Sequence, residues 1–184
     1  MNLRNLESLL IFQVGWWCAV GGAGAGYPVG ATVGVTALVL LGWLIDRKAS
    51  EIRIGLAALL LGFLADGTLL RLDIYEFPPN AQLGILNGLP PVWMAMLWPL
   101  LVRTLEADKC LGWLQNRYFL AVILGVVSGP LAYWGGESLG ALTFTLDSTK
   151  TMILVGLMWG FALPGLLLIR RFFETGSGRM EADD

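Results

Sequence analysis

A single carboxylate interrupts an otherwise apolar stretch of the sequence. Eleven residues beginning at Gly55 have the composition of a membrane span, and Asp66 follows them directly. An ionised carboxylate at mid-helix depth in a bilayer costs roughly 2.5 to 3.5 kcal/mol on insertion scales. Two interpretations of Asp66 are open. It is a general acid, general base or ligand contact, or it is a structural acceptor of a hydrogen bond from Gln13, Tyr133 or an indole N–H.

Two aromatic residues are predicted to belong to the same site. Tyr133 follows Gly125 and Gly129 at a spacing of four residues, so all three share one face of a helix. Glycines at this spacing let two helices approach closely, and we therefore expect a buried phenol whose hydroxyl has a partner. Trp93 lies near the start of an apolar segment that opens with the double proline Pro90–Pro91.

Gln13 and Arg71 complete the candidate site. Gln13 is a polar residue within the first apolar segment. Arg71 lies five residues after Asp66, a rotation of about 140° around a helix, so we expect it to leave the face of Asp66 and reach toward the membrane surface. The predicted ligand-binding residues are Asp66, Tyr133, Trp93, Gln13 and Arg71. No catalytic residue is assigned.

Several kinds of chemistry are excluded by the residues present. The chain has no histidine, so His-ligated zinc or haem and Ser-His nucleophile pairs are impossible. The stretch "DGTLLR" begins like a CDP-alcohol phosphotransferase motif, but it lacks the later glycine and the two further spaced aspartates. Intramembrane aspartyl proteases need a second mid-membrane aspartate, which is also missing. We predict no metal and no cofactor.

The elements that position these residues are membrane helices. Of the 184 residues, 56% are hydrophobic and only 14% are charged, whereas a soluble domain has about one quarter charged residues. Apolar segments long enough to span a bilayer are predicted at about 9–26, 28–45, 54–72, 90–105, 118–139 and 151–172. The predicted fold is all-α, a polytopic bundle of six transmembrane helices. Residues 1–174 form one domain, and residues 175–184 form a polar cytoplasmic tail.

The distribution of basic residues predicts the orientation. With the N-terminus in the cytoplasm, ten lysines and arginines fall on the cytoplasmic side, and only Arg71 and Lys150 fall outside. Both termini are therefore predicted to be cytoplasmic. Asp66 then lies about 20 Å from Arg53, in the outer third of the bilayer. Tyr133, Trp93 and the two longest outer connections lie on the same side, which predicts a polar-lined pocket there.

Four stretches of the sequence resemble an uncharacterised family of bacterial inner-membrane proteins, domain of unknown function 2878. They are "FQVGWWCAV", "GFLADGTL", "PPVWMAMLW" and "SGPLAYWGGESLGA", in this order over most of the chain. The last is the most specific, because Pro-Leu-Ala-Tyr followed by Gly-x-x-x-Gly is unusual in a generic span. The resemblance implies a small multi-pass protein of the bacterial inner (plasma) membrane. It implies no reaction and no catalytic residues.

These observations predict a protein that binds or handles a lipid or another apolar ligand in an envelope-lipid pathway. The alternatives are a lipid-modifying enzyme with Asp66 as acid or base, in which Tyr133 and Arg71 orient a headgroup, and a small proton-coupled carrier. The carrier is least favoured, because the inner halves of the segments contain almost no polar residue besides Gln13. The expected partners are membrane lipids, and a partner membrane protein or a homo-oligomer is possible. The net charge of −2 does not favour nucleic acid.

Overall fold

The computed structural model describes residues 3–82 and 88–180. Within these ranges the chain is almost entirely helical, as the sequence predicts. The helices are α1 (Leu3–Gly24), α2 (Pro28–Asp46), α3 (Ala49–Arg71), α4 (Val92–Thr104), α5 (Tyr118–Ser138) and α6 (Ser148–Met180). Two short strands, β1 (Tyr75–Glu76) and β2 (Thr143–Phe144), are the remaining regular elements of the described chain apart from two single 3₁₀ turns.

Five of the described helices, α1, α2, α3, α5 and α6, are long and apolar enough to cross a membrane. The all-helical class is thus confirmed, and these five helices support a membrane protein. The fourth predicted span is a shorter helix, α4, which is interrupted at Met96 and is about 20 Å long at 1.5 Å per residue. A bilayer core is about 30 Å thick, so the count of six spans stays a prediction.

The predicted polar tail is helical where the structure describes it. Helix α6 continues through residue 175 to Met180. Residues 181–184 lie outside the described part of the chain.

Local sequence explains where the helices begin and end. Pro28 is the first residue of α2, where its missing N–H costs no hydrogen bond. The helix ends at Asp46, because Arg47 adopts a left-handed conformation with φ 53°. Helix α1 stays continuous through one π-helical turn at Trp17–Gly21.

Helices α5 and α6 pack closely along a glycine face, as the sequence predicts. A Cβ atom added to Gly125 would lie 2.2 Å from the carbonyl oxygen of Trp159. A Cβ atom added to Gly129 would lie 2.3 Å from the indole of the same tryptophan. Because real Cβ contacts are never this short, both positions require glycine for the helices to meet.

One end of the bundle is closed by the two strands, and we call it the hairpin end. The connections after α3 and after α5, predicted to lie on the same side of the membrane, meet here as the antiparallel pair of Tyr75 with Phe144 and Glu76 with Thr143. Phe77 packs edge-to-face against both Tyr75 and Trp93.

The opposite, charged end contains a network of buried ion pairs. Arg103 donates to Asp46 at 2.6 and 3.0 Å and to Glu7 at 2.8 Å, while Lys109 donates to Asp46 at 2.9 Å. These contacts join the start of α1, the end of α2 and the end of α4. From the sequence, these basic residues served only to predict the orientation of the helices. The structure shows that Arg103 and Lys109 are buried.

A second ion pair at the charged end joins α3 to α6. Arg170 donates from both terminal nitrogens to the carboxylate of Glu51, each at 2.9 Å. It also donates to the backbone carbonyl of Val102 at 3.0 Å and to Glu174 at 2.9 Å.

Two further ion pairs lie in the connections at this end, Lys48 with Glu106 and Arg4 with Asp108. The hydrogen bond to Glu106 raises the pKa of Lys48 above its usual range. Burial acts to raise the pKa of Asp108, but the hydrogen bond from Arg4 and the positive charges of Arg4, Lys109 and Lys48 together outweigh it, so the pKa is lowered. Lys48 and Asp108 are therefore both charged at neutral pH.

Candidate functional site

A cavity lies between α1, α3, α4, α5 and α6, bordered by Asp66 and Tyr133. Its volume is about 90 Å³, which is room for several water molecules or for part of a small ligand. The walls are mainly aromatic and aliphatic, and they include Phe12, Trp16, Trp93, Met94, Leu97, Trp98, Ala132 and Trp159. The cavity is thus an apolar chamber with one carboxylate in its wall.

Asp66 is completely buried, and both of its carboxylate oxygens accept hydrogen bonds. Trp98 donates from Nε1 to Oδ2 at 2.9 Å. The hydroxyl of Tyr133 donates to Oδ1. Two of the partners proposed from the sequence, Tyr133 and an indole N–H, are therefore the observed ones. They explain how a carboxylate is tolerated at this depth, because buried polar groups are stable when they are hydrogen-bonded.

A second tyrosine supports this pair from the hairpin end. The hydroxyl of Tyr75 donates to the backbone carbonyl of Asp66 at 3.3 Å, and its ring lies 5.4 Å from the ring of Tyr133. Burial raises the pKa of Tyr75 well above its usual value. Its phenol is therefore protonated at neutral pH and acts as a donor.

Gly62 provides the space for Trp98. It lies one helical turn before Asp66, and a Cβ atom there would lie 2.1 Å from the indole of Trp98. The same face of α3 thus accepts both the ring and the N–H of this tryptophan.

Trp159 completes the aromatic part of the wall. Its ring stacks on Trp98 with a centroid distance of 4.7 Å and an interplanar angle of 10°. The close approach at Gly125 and Gly129 fixes its position on α6. Its Nε1 is buried and has no hydrogen-bond partner among the described residues.

The structure brings together three of the five residues predicted for the site. Asp66, Tyr133 and Trp93 line the cavity, and the indole N–H of Trp93 donates to the carbonyl of Ala81 at 2.9 Å.

Gln13 and Arg71 do not line the cavity, and both side chains are exposed. Phe12 and Trp16, four residues apart, form the face of α1 that borders the cavity. Gln13 is rotated about 100° from Phe12 around the helix, which explains why it points away. Arg71 leaves the face of Asp66 for the same geometric reason, as the sequence predicts.

Sequence reasoning did not assign Trp98 and Trp159 to the site. Their position in the sequence does indicate a buried role. Both lie deep within apolar segments rather than at the ends, where tryptophans anchor helices at membrane interfaces. A tryptophan at such depth needs a partner for its N–H, and Asp66 is that partner for Trp98.

Three carboxylates at the charged end lie within 4.8 Å of one another, those of Asp46, Glu51 and Glu106. Each is already bound to at least one cationic side chain, as described for the ion pairs above. The positive charges of those side chains offset the negative charge of the three carboxylates. The cluster is therefore part of the ion-pair network.

Comparison with known proteins identifies one family. A family model described as "Protein of unknown function (DUF2878)" matches residues 5–165, which include all the residues of the cavity. No curated protein and no solved structure matches the chain.

Proposed function

Since the chain belongs to the DUF2878 family, whose function is unknown, we propose a function from its geometry: it binds a lipid or a similar apolar molecule in the cavity beside Asp66. The observation that carries this proposal is the chamber itself, whose walls are apolar except for one hydrogen-bonded carboxylate. Sites for small molecules in proteins have this character, mostly apolar walls with a few placed polar groups.

The exposure of the wall supports a ligand that comes from the bilayer. Phe12, Trp16 and Ala132 border the cavity and are half-buried rather than enclosed. Trp17, which follows Trp16, and Leu131, which precedes Ala132, are each more than half exposed. We infer that the chamber opens between α1 and α5 on this side, which would give an apolar molecule a direct route from the bilayer.

Filling the cavity tests the proposal. Ala132→Phe places a ring in the chamber, and we expect the purified protein to retain at least about five-fold less lipid, since the volume of about 90 Å³ is comparable to the added side chain. Bound lipid is extracted after washing in detergent and quantified by mass spectrometry.

The matched control is Leu131→Phe on the adjacent, exposed position of α5. It adds a ring facing lipid and should leave retention unchanged, while thermal melting establishes that both variants fold. Equal retention by the two folded variants and the unsubstituted protein would contradict the proposal.

A membrane-embedded enzyme that modifies lipids is the second candidate. The favouring observation is that the hydroxyl of Tyr133 and the carboxylate of Asp66 share a hydrogen bond next to the cavity, an arrangement that can pass a proton to or from a bound molecule. Under this candidate, Asp66→Asn would retain lipid but abolish its conversion.

A proton-coupled carrier would additionally require a polar path from the charged end to Asp66, and it remains the least favoured.

The proposed location is the inner membrane of a bacterium, with six spans and both termini in the cytoplasm. The bias of ten basic residues to two supports this orientation, and five of the ten lie in the ion pairs of the charged end. We expect a green fluorescent protein fused after residue 184 to fluoresce and alkaline phosphatase at the same place to be inactive. The reverse pattern would overturn the orientation.

A further inference from the structure

The indole N–H of Trp159 is a donor that finds no acceptor among the described residues, although the atom is buried. Buried donors in proteins are almost always paired with a protein group, an ordered water or a ligand. Trp159 lines the cavity, so a molecule bound there can supply such an acceptor.

The buried polar side chains bordering the cavity, apart from the indole of Trp159, are already engaged. Both oxygens of Asp66 accept hydrogen bonds, from the indole of Trp98 and from the hydroxyl of Tyr133. The indole N–H of Trp93 donates to the backbone carbonyl of Ala81. A ligand therefore does not need to satisfy Asp66, and the group in need of a partner is the donor of Trp159.

Packing alone does not account for tryptophan at this position. The stacking of Trp159 on Trp98 involves the ring faces, and a phenylalanine could stack in the same way without burying an N–H group. An N–H that stays unpaired in an apolar wall is unfavourable, so a bound molecule that supplies an acceptor would gain affinity from it.

Resting on the proposed function, we propose that the ligand carries a hydrogen-bond acceptor oxygen, an ester or ketone carbonyl on an apolar body, that binds the Nε1–H of Trp159. The indole N–H is a donor only, so it selects an acceptor and gains nothing from a hydrocarbon. The ester of an acyl lipid and the carbonyl of a free ketone offer the same chemistry.

The test compares matched probes on lipid-depleted protein in detergent. Methyl laurate and 2-tridecanone carry a carbonyl, and tridecane is the hydrocarbon of similar length. One hydrogen bond corresponds to about a five-fold gain in affinity, so both carbonyl probes should bind about five-fold more tightly than tridecane. Trp159→Phe should remove that gain, so that the carbonyl probes then bind no more tightly to the variant than tridecane does. Trp134→Phe, an exposed tryptophan of α5, is the matched control and should change nothing.

A direct readout is the NMR spectrum of protein whose eight tryptophans are labelled with ¹⁵N. The signal lost in Trp159→Phe identifies the Trp159 indole, and it should move downfield when methyl laurate is added but not when tridecane is added. If tridecane and the carbonyl probes bind equally and the signal does not move, this inference is overturned while the proposed function stands. If no probe binds the unsubstituted protein, both are overturned. The carbonyl probe that binds with the higher affinity indicates whether the acceptor oxygen of the natural ligand belongs to an ester or a ketone.

Discussion

Replacing Asp66 with leucine is expected to destabilise the protein by about 2–6 kcal/mol. The substitution leaves the N–H of Trp98 and the O–H of Tyr133 without their acceptor in a completely buried position, and each unsatisfied buried group costs about 1–3 kcal/mol. Leucine has a similar shape, so the loss reports the missing hydrogen bonds more than a cavity. Unfolding of the purified protein in detergent, followed by circular dichroism, measures the change.

Asp66→Asn is the matched variant. Its amide oxygen can still accept from Trp98, and its amide nitrogen can donate to the hydroxyl oxygen of Tyr133. We therefore expect a loss of about 1 kcal/mol or less. If the leucine and asparagine variants unfold at the same temperature as the unsubstituted protein, the carboxylate does not hold these two side chains. If Asp66→Asn folds normally but a deletion strain is not complemented by it, Asp66 has a role in proton transfer beyond its role in folding.

The burial of Tyr133 could be predicted from local spacing, and that of Asp66 from the cost of a charge in hydrocarbon. The glycines at 125 and 129 define one face of α5, and Tyr133 continues it by one helical turn. The energetic cost of a charge in hydrocarbon then requires Asp66 to point inward. These arguments need only the sequence, the geometry of a helix and the apolar character of the bilayer.

The identity of the indole partner could not be predicted in this way. Trp98 reaches Asp66 because Gly62 leaves room for its ring and because Trp159 stacks on the other face. That arrangement joins α3, α4 and α6, and their relative rotation is decided by packing across the whole bundle. Gln13 illustrates the opposite case, since a polar residue in a span is expected inside and the structure exposes it.

The charged end shows a further limit of sequence reasoning. Counting basic residues predicts an orientation, but it does not reveal which of them are buried or with which acid each one pairs. Arg170 and Glu51 are 119 positions apart in the chain, so no local pattern indicates their pairing. Their contact depends on α3 and α6 meeting at the same end of the bundle.

Removing Arg170 should therefore have a large effect on stability. The exposed fraction of its side chain is 1%, and that of Glu51 is 4%. Arg170→Met leaves the carboxylate of Glu51 and the carbonyl of Val102 without their main donor. Breaking a buried ion pair on one side costs about 3–5 kcal/mol, because the remaining charge stays buried and unpaired. We expect a corresponding fall in the free energy of unfolding, measured in detergent.

The neighbouring arginine supplies the control. Arg171 has the same charge, but it is exposed and its described contact is a hydroxyl, that of Tyr118, so Arg171→Met should change the melting temperature little. The double variant with Glu51→Gln and Arg170→Met removes both buried charges and should be more stable than Arg170→Met alone, since no buried carboxylate is left unpaired. Equal losses for Arg170→Met and Arg171→Met would show that the buried pair does not hold α3 to α6. A double variant no more stable than Arg170→Met would show that packing of the arginine stem, rather than its charge, joins these helices.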